Sequence, residues 1–123
     1  MASLTSTTKL STTSVSSENF SISLTKLLSV KNPTIQTKTV DVAADADTAV
    51  LNGSANTAAT YLWIYNKDST NYVGVELATT LLLRVGPGEI TVICVEPLKA
   101  VDLRANTATC KVEFGYFTLD KYR

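Results

Sequence analysis

Three aspartates, Asp41, Asp45 and Asp47, crowd the stretch DVAADAD, and oxygen-rich loops are how proteins hold calcium. A calcium-binding EF-hand loop needs D-x-D-x-D-G closed by a distant glutamate. Here the glycine is missing and alanines stand where ligands would sit, so these aspartates read as solvated turn residues. Two carboxylate pairs, Glu89 with Glu96 and Asp102 with Glu113, could cut a glycoside only if they met across a cleft, which so small a domain rarely provides. Arg84 and Arg104, paired with Glu89 or Asp102, could form bidentate salt bridges at a subunit boundary. As exposed cross-strand pairs they would contribute about 0–1 kcal/mol.

The chain has no histidine, which removes the commonest general base and metal ligand and every histidine-based triad. Cys94 and Cys110 lie far apart without Cys-x-x-Cys spacing, so they do not outline a zinc site. Each stands among apolar neighbours, and both read as small buried hydrophobes rather than a disulfide. Gly86-Pro87-Gly88 lacks a following Lys-Ser or Lys-Thr, so it does not read as a phosphate loop. The sequence therefore predicts a non-enzymatic protein, with no catalytic, cofactor-binding or metal-ligating residue.

With 123 residues, five Gly and three Pro, the chain fits one domain with a packed core. Eleven Lys and Arg balance eleven Asp and Glu, and no window concentrates the basic residues. Nucleic acid is an unexpected partner on that ground. Near-zero net charge gives little protection against association, which suits an assembly subunit. No apolar run approaches the roughly 20 residues that span a bilayer, and the start lacks the order of a signal peptide. The expectation is a soluble protein made in a cytoplasm, without a membrane partner.

The elements that would position these residues are strands. Residues 1–17 are rich in Ser and Thr with isolated Leu4, Leu10 and Val15. They read as an arm, flexible in isolation, that either frays or orders against a neighbouring subunit. The domain proper is expected over 18–123. Phe20, Ile22 and Leu24 alternate with serines as in a strand, and Lys31-Asn32-Pro33 predicts a turn. Residues 34–42 read as an edge or exposed strand carrying lysine. Alanine content allows a short helix over 43–49, and Asn52-Gly53 marks a turn.

Tyr61, Trp63 and Tyr65 share one face of the next strand while Leu62 and Ile64 share the other, so the strand belongs between two layers. Core packing is the favoured reading of Trp63. An exposed aromatic anchor or a sugar platform that includes Tyr72 is the alternative. The polar NKDSTN should join this strand to 72–77 as an antiparallel hairpin, with 81–85 adding a third strand before the Gly-Pro-Gly turn. Residues 90–95, 100–105 and 110–116 complete about eight strands. The last has a clean row of Cys110, Val112, Phe114 and Tyr116 and should be central. The pattern predicts an all-β fold, a jelly-roll-like antiparallel sandwich.

The aromatic strand, the phrase NKDSTNYV, the strand ending at Arg84, the turn Gly86-Pro87-Gly88-Glu89 and the final VEFGYFTL resemble small virion structural proteins of tailed bacteriophages. The resemblance spans roughly the second half of the chain. It implies a capsid decoration or cement protein on the virion surface, assembled in the host bacterial cytoplasm. Its partners would be the major capsid protein and its own copies as a homotrimer. Leu4, Leu10, Tyr61, Trp63, Tyr65, Tyr72, Arg84 and Arg104 are the candidate interface residues. A tail, fibre or adaptor component, or a carbohydrate- or receptor-binding module, is the alternative.

Overall fold

The computed structural model describes residues 2–11, 21–30, 36–51, 59–78, 80–97 and 99–118. The fold is all-β: no helix occurs among the described residues, and ten strands form three antiparallel sheets. The Ser/Thr-rich stretch is itself a strand. β1 (Ala2–Ser11) pairs along its length with β2 (Ser21–Val30), and Thr7 Oγ1 lies 3.2 Å from Thr25 Oγ1 across the pair. Threonine is β-branched and fits a pleated ribbon that propensity for disorder alone would not suggest.

Eight strands build the sandwich. One sheet has the order β3 (Gln36–Val42), β10 (Cys110–Thr118), β5 (Thr60–Asn66), β8 (Ile90–Val95). The other runs β4 (Thr48–Leu51), β9 (Val101–Ala105), β6 (Val73–Leu77), β7 (Thr80–Val85). Pairing is nested: β6 with β7, β5 with β8, β4 with β9 and β3 with β10. The final strand is central, as its clean alternation requires, and β3 is an edge. Within β3, Val42 is buried and Val40 partly so, while Thr37, Thr39 and Asp41 face outward.

Leu62, Ile64, Val112 and Phe114 from the first sheet meet Val73, Val75, Val101 and Leu103 from the second in one continuous core. Each fully buried aliphatic side chain there contributes roughly 1.5–3 kcal/mol relative to exposure.

Two expectations are corrected. β5 and β6 do not form a hairpin, since they lie in different sheets and residues 67–72 cross from one layer to the other. The cause is Asn66, whose buried amide nitrogen donates to the carbonyls of Asn71 (2.9 Å), Val85 (3.1 Å) and Gly86 (3.2 Å). It thereby ties the crossing to the end of β7. Asp68 Oδ2 accepts from the N–H of Thr70 and of Asn71, and these bonds, Asn71's first, hold its carboxyl below the ordinary aspartate value.

The helix allowed over 43–49 is also absent: residues 44–46 bend and β4 follows. Four alanines cannot nucleate so short a helix against the pairing that β9 offers. The β6–β7 pairing agrees with the predicted meander. The turns expected at Lys31-Asn32-Pro33 and Asn52-Gly53 lie outside the described residues.

The Gly86-Pro87-Gly88 turn leads into β8 through a bulge. Asn66 N–H donates to Glu89 O and Gly88 N–H donates to Asn66 O, both at 3.0 Å. Two residues thus oppose one, and Gly88, at φ 72°, takes the left-handed conformation that such a bulge asks of its first residue.

Candidate interaction surface

β5 alternates without a break: Thr60, Leu62, Ile64 and Asn66 are buried, while Tyr61, Trp63 and Tyr65 are half-buried on the outside of the first sheet. Both rows are apolar, so sequence parity alone does not say which one turns inward. Asn66 carries the missing signal, because its network inside the fold commits Leu62 and Ile64 to the same face. Trp63 is thus a surface residue, and its expected core placement is corrected.

In register with this row stand Phe117 opposite Tyr61, Gly115 opposite Trp63, Val92 opposite Trp63 and Ile90 opposite Tyr65. Ile90 and Val92 are 63% and 56% exposed. Thr5, Ser6 and Thr7 of β1 approach this face from above and enclose, with Tyr61, Trp63 and Phe117, a groove of about 240 Å³. Aromatic rings form its floor and hydroxyl-bearing residues its rim, so it can take flat apolar groups that carry polar edges. Leu10 is exposed on the same hairpin, and the side chain of Leu4 lies outside the described set. A second cavity, about 250 Å³ and lined in part by Val75, Leu77, Leu82 and Ile93, opens between β7 and β8.

The other outer face is charged. Arg84 and Arg104 flank Gly74 from either side, and a side chain at Gly74 would meet Leu81 Cδ1 at 2.7 Å. Arg84 lies 4.5 Å from the Tyr72 ring centroid, a cation–π contact. Arg104 Nε is 2.9 Å from Asp47 Oδ1. The two arginines thus take partners other than the expected Glu89 and Asp102, and Glu89 instead accepts from Gly86 N–H at 2.8 Å.

Asp47, Glu76 and Asp102 bring carboxylate oxygens within 4.8 Å of one another. Such a group could hold a hard divalent cation, although Arg104 already supplies positive charge there. Its members come from three distant segments, which no local spacing reveals. Neither carboxylate pair considered for glycoside cleavage forms: Glu89 and Glu96 flank opposite ends of β8, and Asp102 and Glu113 lie on opposite outer faces of the sandwich.

Partial burial first, then the Asp47 charge and a hydrogen bond to Asp47, raise the Glu76 carboxyl above the ordinary glutamate value, with Arg104 opposing. A raised folded-state pKa means that the stabilising state is the protonated one, present below the unfolded value and lost as pH rises through the folded value. Glu76→Gln should therefore raise stability at neutral pH, by less than about 1 kcal/mol on so solvated a face. The gain should vanish when urea titrations are repeated below the normal glutamate range.

Both cysteines are free. Cys110 is buried, but Cys94 faces outward on β8 and is exposed, which corrects its expected burial. Desolvation and then the Glu96 charge push the Cys94 thiol up.

No protein-family model and no curated protein matches this chain.

Proposed function

We propose that this chain is a structural component of a phage virion, a capsid decoration or cement protein that binds the shell through the aromatic face of its first sheet. The observation that carries the reading is that Tyr61, Trp63, Phe117, Ile90 and Val92 form a contiguous, partly open apolar surface, a kind of patch that marks interaction sites. The nested strand pairing of the antiparallel sandwich supports a jelly-roll reading, an architecture used by viral capsid and lectin domains, and the sequence resemblance points the same way. Its mechanism is contact. Copies on the shell bridge major capsid subunits, and many weak contacts repeated on one lattice act as a multivalent clamp.

Copy number in purified virions tests this. A decoration protein should be present at a number commensurate with the shell lattice, and acrylamide quenching of Trp63, the sole tryptophan, should fall when the protein binds empty shells. A few copies confined to the tail would reject the shell reading.

The groove under β1 favours a second reading, a carbohydrate- or receptor-binding module, because half-exposed rings sit beneath hydroxyl-bearing residues. Quenching relieved by sugar and unchanged by shells would support it instead.

A further inference from the structure

A sheet edge presents unpaired N–H and C=O groups, and soluble proteins blunt such edges with charge, bulges or brevity. Three of the four sandwich edges carry such devices. β3 holds exposed Lys38 and Asp41. β4 has four residues and a register shift against β9. β7 has a register shift against β6 and carries Arg84. β8 has a bulge only at its start, where Gly88 and Glu89 oppose Asn66; beyond it ITVICV contains no charge, proline or glycine, and among the described residues it pairs with β5 alone.

The phase of the β5–β8 ladder says which groups are open. Asn66 N–H bonds Glu89 O, and antiparallel bonding alternates along the register. Thr91, Ile93 and Val95 therefore direct their backbone groups toward β5, and Ile90, Val92 and Cys94 direct theirs toward the open side. These three also carry the outward row of side chains.

We infer that β8 is a self-association edge on which a second copy of this chain adds its own β8 antiparallel about a two-fold axis through Val92, joining two four-stranded sheets into one of eight strands.

The occupant follows from self-complementarity. With Val92 on the axis, Ile90 stands opposite Cys94 of the second copy and Thr91 opposite its Ile93. Every open N–H and C=O of the row then meets a counterpart in phase. Glu89 falls opposite Val95 and Glu96 opposite Gly88, so no like charges are brought face to face, a pairing that would otherwise destabilise the ladder. Balanced acidic and basic residues leave no net repulsion between copies. The aromatic rows of the two copies then lie side by side, with the exposed Ile90 and Val92 filling the seam. Two-fold pairing of one patch with itself is also the commonest closed association. The edge would pair in this way whether or not the chain coats a shell.

Sedimentation equilibrium of the full chain should give twice the chain mass. Val92→Pro removes a donor on the open side only, which an edge strand tolerates, and should give a monomer with an unchanged circular dichroism spectrum. Ile90→Cys should form a covalent dimer with Cys94 of the second copy on oxidation at alkaline pH, since opposed residues in this register lie within disulfide reach. A wild-type monomer or trimer at every concentration, a folded Val92→Pro that remains dimeric, or an Ile90→Cys variant that does not cross-link would each overturn the inference.

Discussion

Asn66→Asp should remove a large share of the stability of the sandwich at neutral pH while barely changing side-chain volume. The amide nitrogen that it replaces faces three carbonyl oxygens at 2.9–3.2 Å in a fully buried position. A carboxylate there turns three attractions into repulsions and leaves a buried charge without a partner, a situation that costs about 3–5 kcal/mol against a total of roughly 5–15 kcal/mol for a domain. Only the Asp68 N–H, which donates to Oδ1 at 3.0 Å, would remain satisfied. Asn66→Ala loses the same bonds without adding charge and should cost less, about 1–3 kcal/mol.

The sign of the pH dependence separates the two variants. The new carboxyl titrates well above the ordinary aspartate range in the folded state, so Asn66→Asp should regain stability as pH falls, whereas Asn66→Ala should not. Urea titrations at neutral and acidic pH would show this directly. An Asn66→Asp protein as stable at neutral pH as Asn66→Ala would mean that the residue does not tie the 67–72 crossing to β7.

Ile64→Ala and Trp63→Ala, at adjacent positions, should differ widely in cost. Ile64 is fully buried between the sheets, opposite Phe114 on one side and Thr91 on the other. Truncation leaves a cavity that the packed layers cannot close, at a cost of about 2–5 kcal/mol. Trp63 lies half-buried on the outer face, where water fills the space left behind, so Trp63→Ala should cost less than half as much despite removing the larger side chain. Denaturation followed by circular dichroism would decide. The reverse order of effects would place the Trp63 row inside and remove the aromatic face from the surface.

The fold class was legible because strands with one wet side declare their facing. β10 is the clearest: Cys110, Val112 and Phe114 are buried and Lys111 is exposed, as alternation demands. β5 hides its facing because both of its rows are apolar, and Asn66, at the same parity as Leu62 and Ile64, reads locally as a wet-face residue until its bonds to Val85 and Gly86 are known. The crossing after β5 looked like a hairpin loop because its Asn, Asp and Ser residues serve either geometry. What separates the two is a side-chain bond to β7, a long-range contact that no local pattern encodes. The β1 strand was hidden for a similar reason, since Ser and Thr report solvation more loudly than pairing. Of the surface, the aromatic row could be read by spacing. The meeting of Asp47, Glu76, Asp102 and Arg104 could not, because strand register alone brings them together.

Nested pairing also favours one order of events. The innermost pair, β6 with β7, needs only a tight turn to close, whereas β3 and β10 join segments near opposite ends of the sandwich sequence. Zipping outward from that hairpin is the route of lowest loop-closure entropy, with the largest loop closed last, before the central strand gains its second neighbour. Chains built in this way fold in roughly milliseconds to seconds rather than microseconds. Until β10 docks, β5 stands as a second unguarded border, so crowding at the moment of synthesis is when this molecule is most exposed to pairing with the wrong strand.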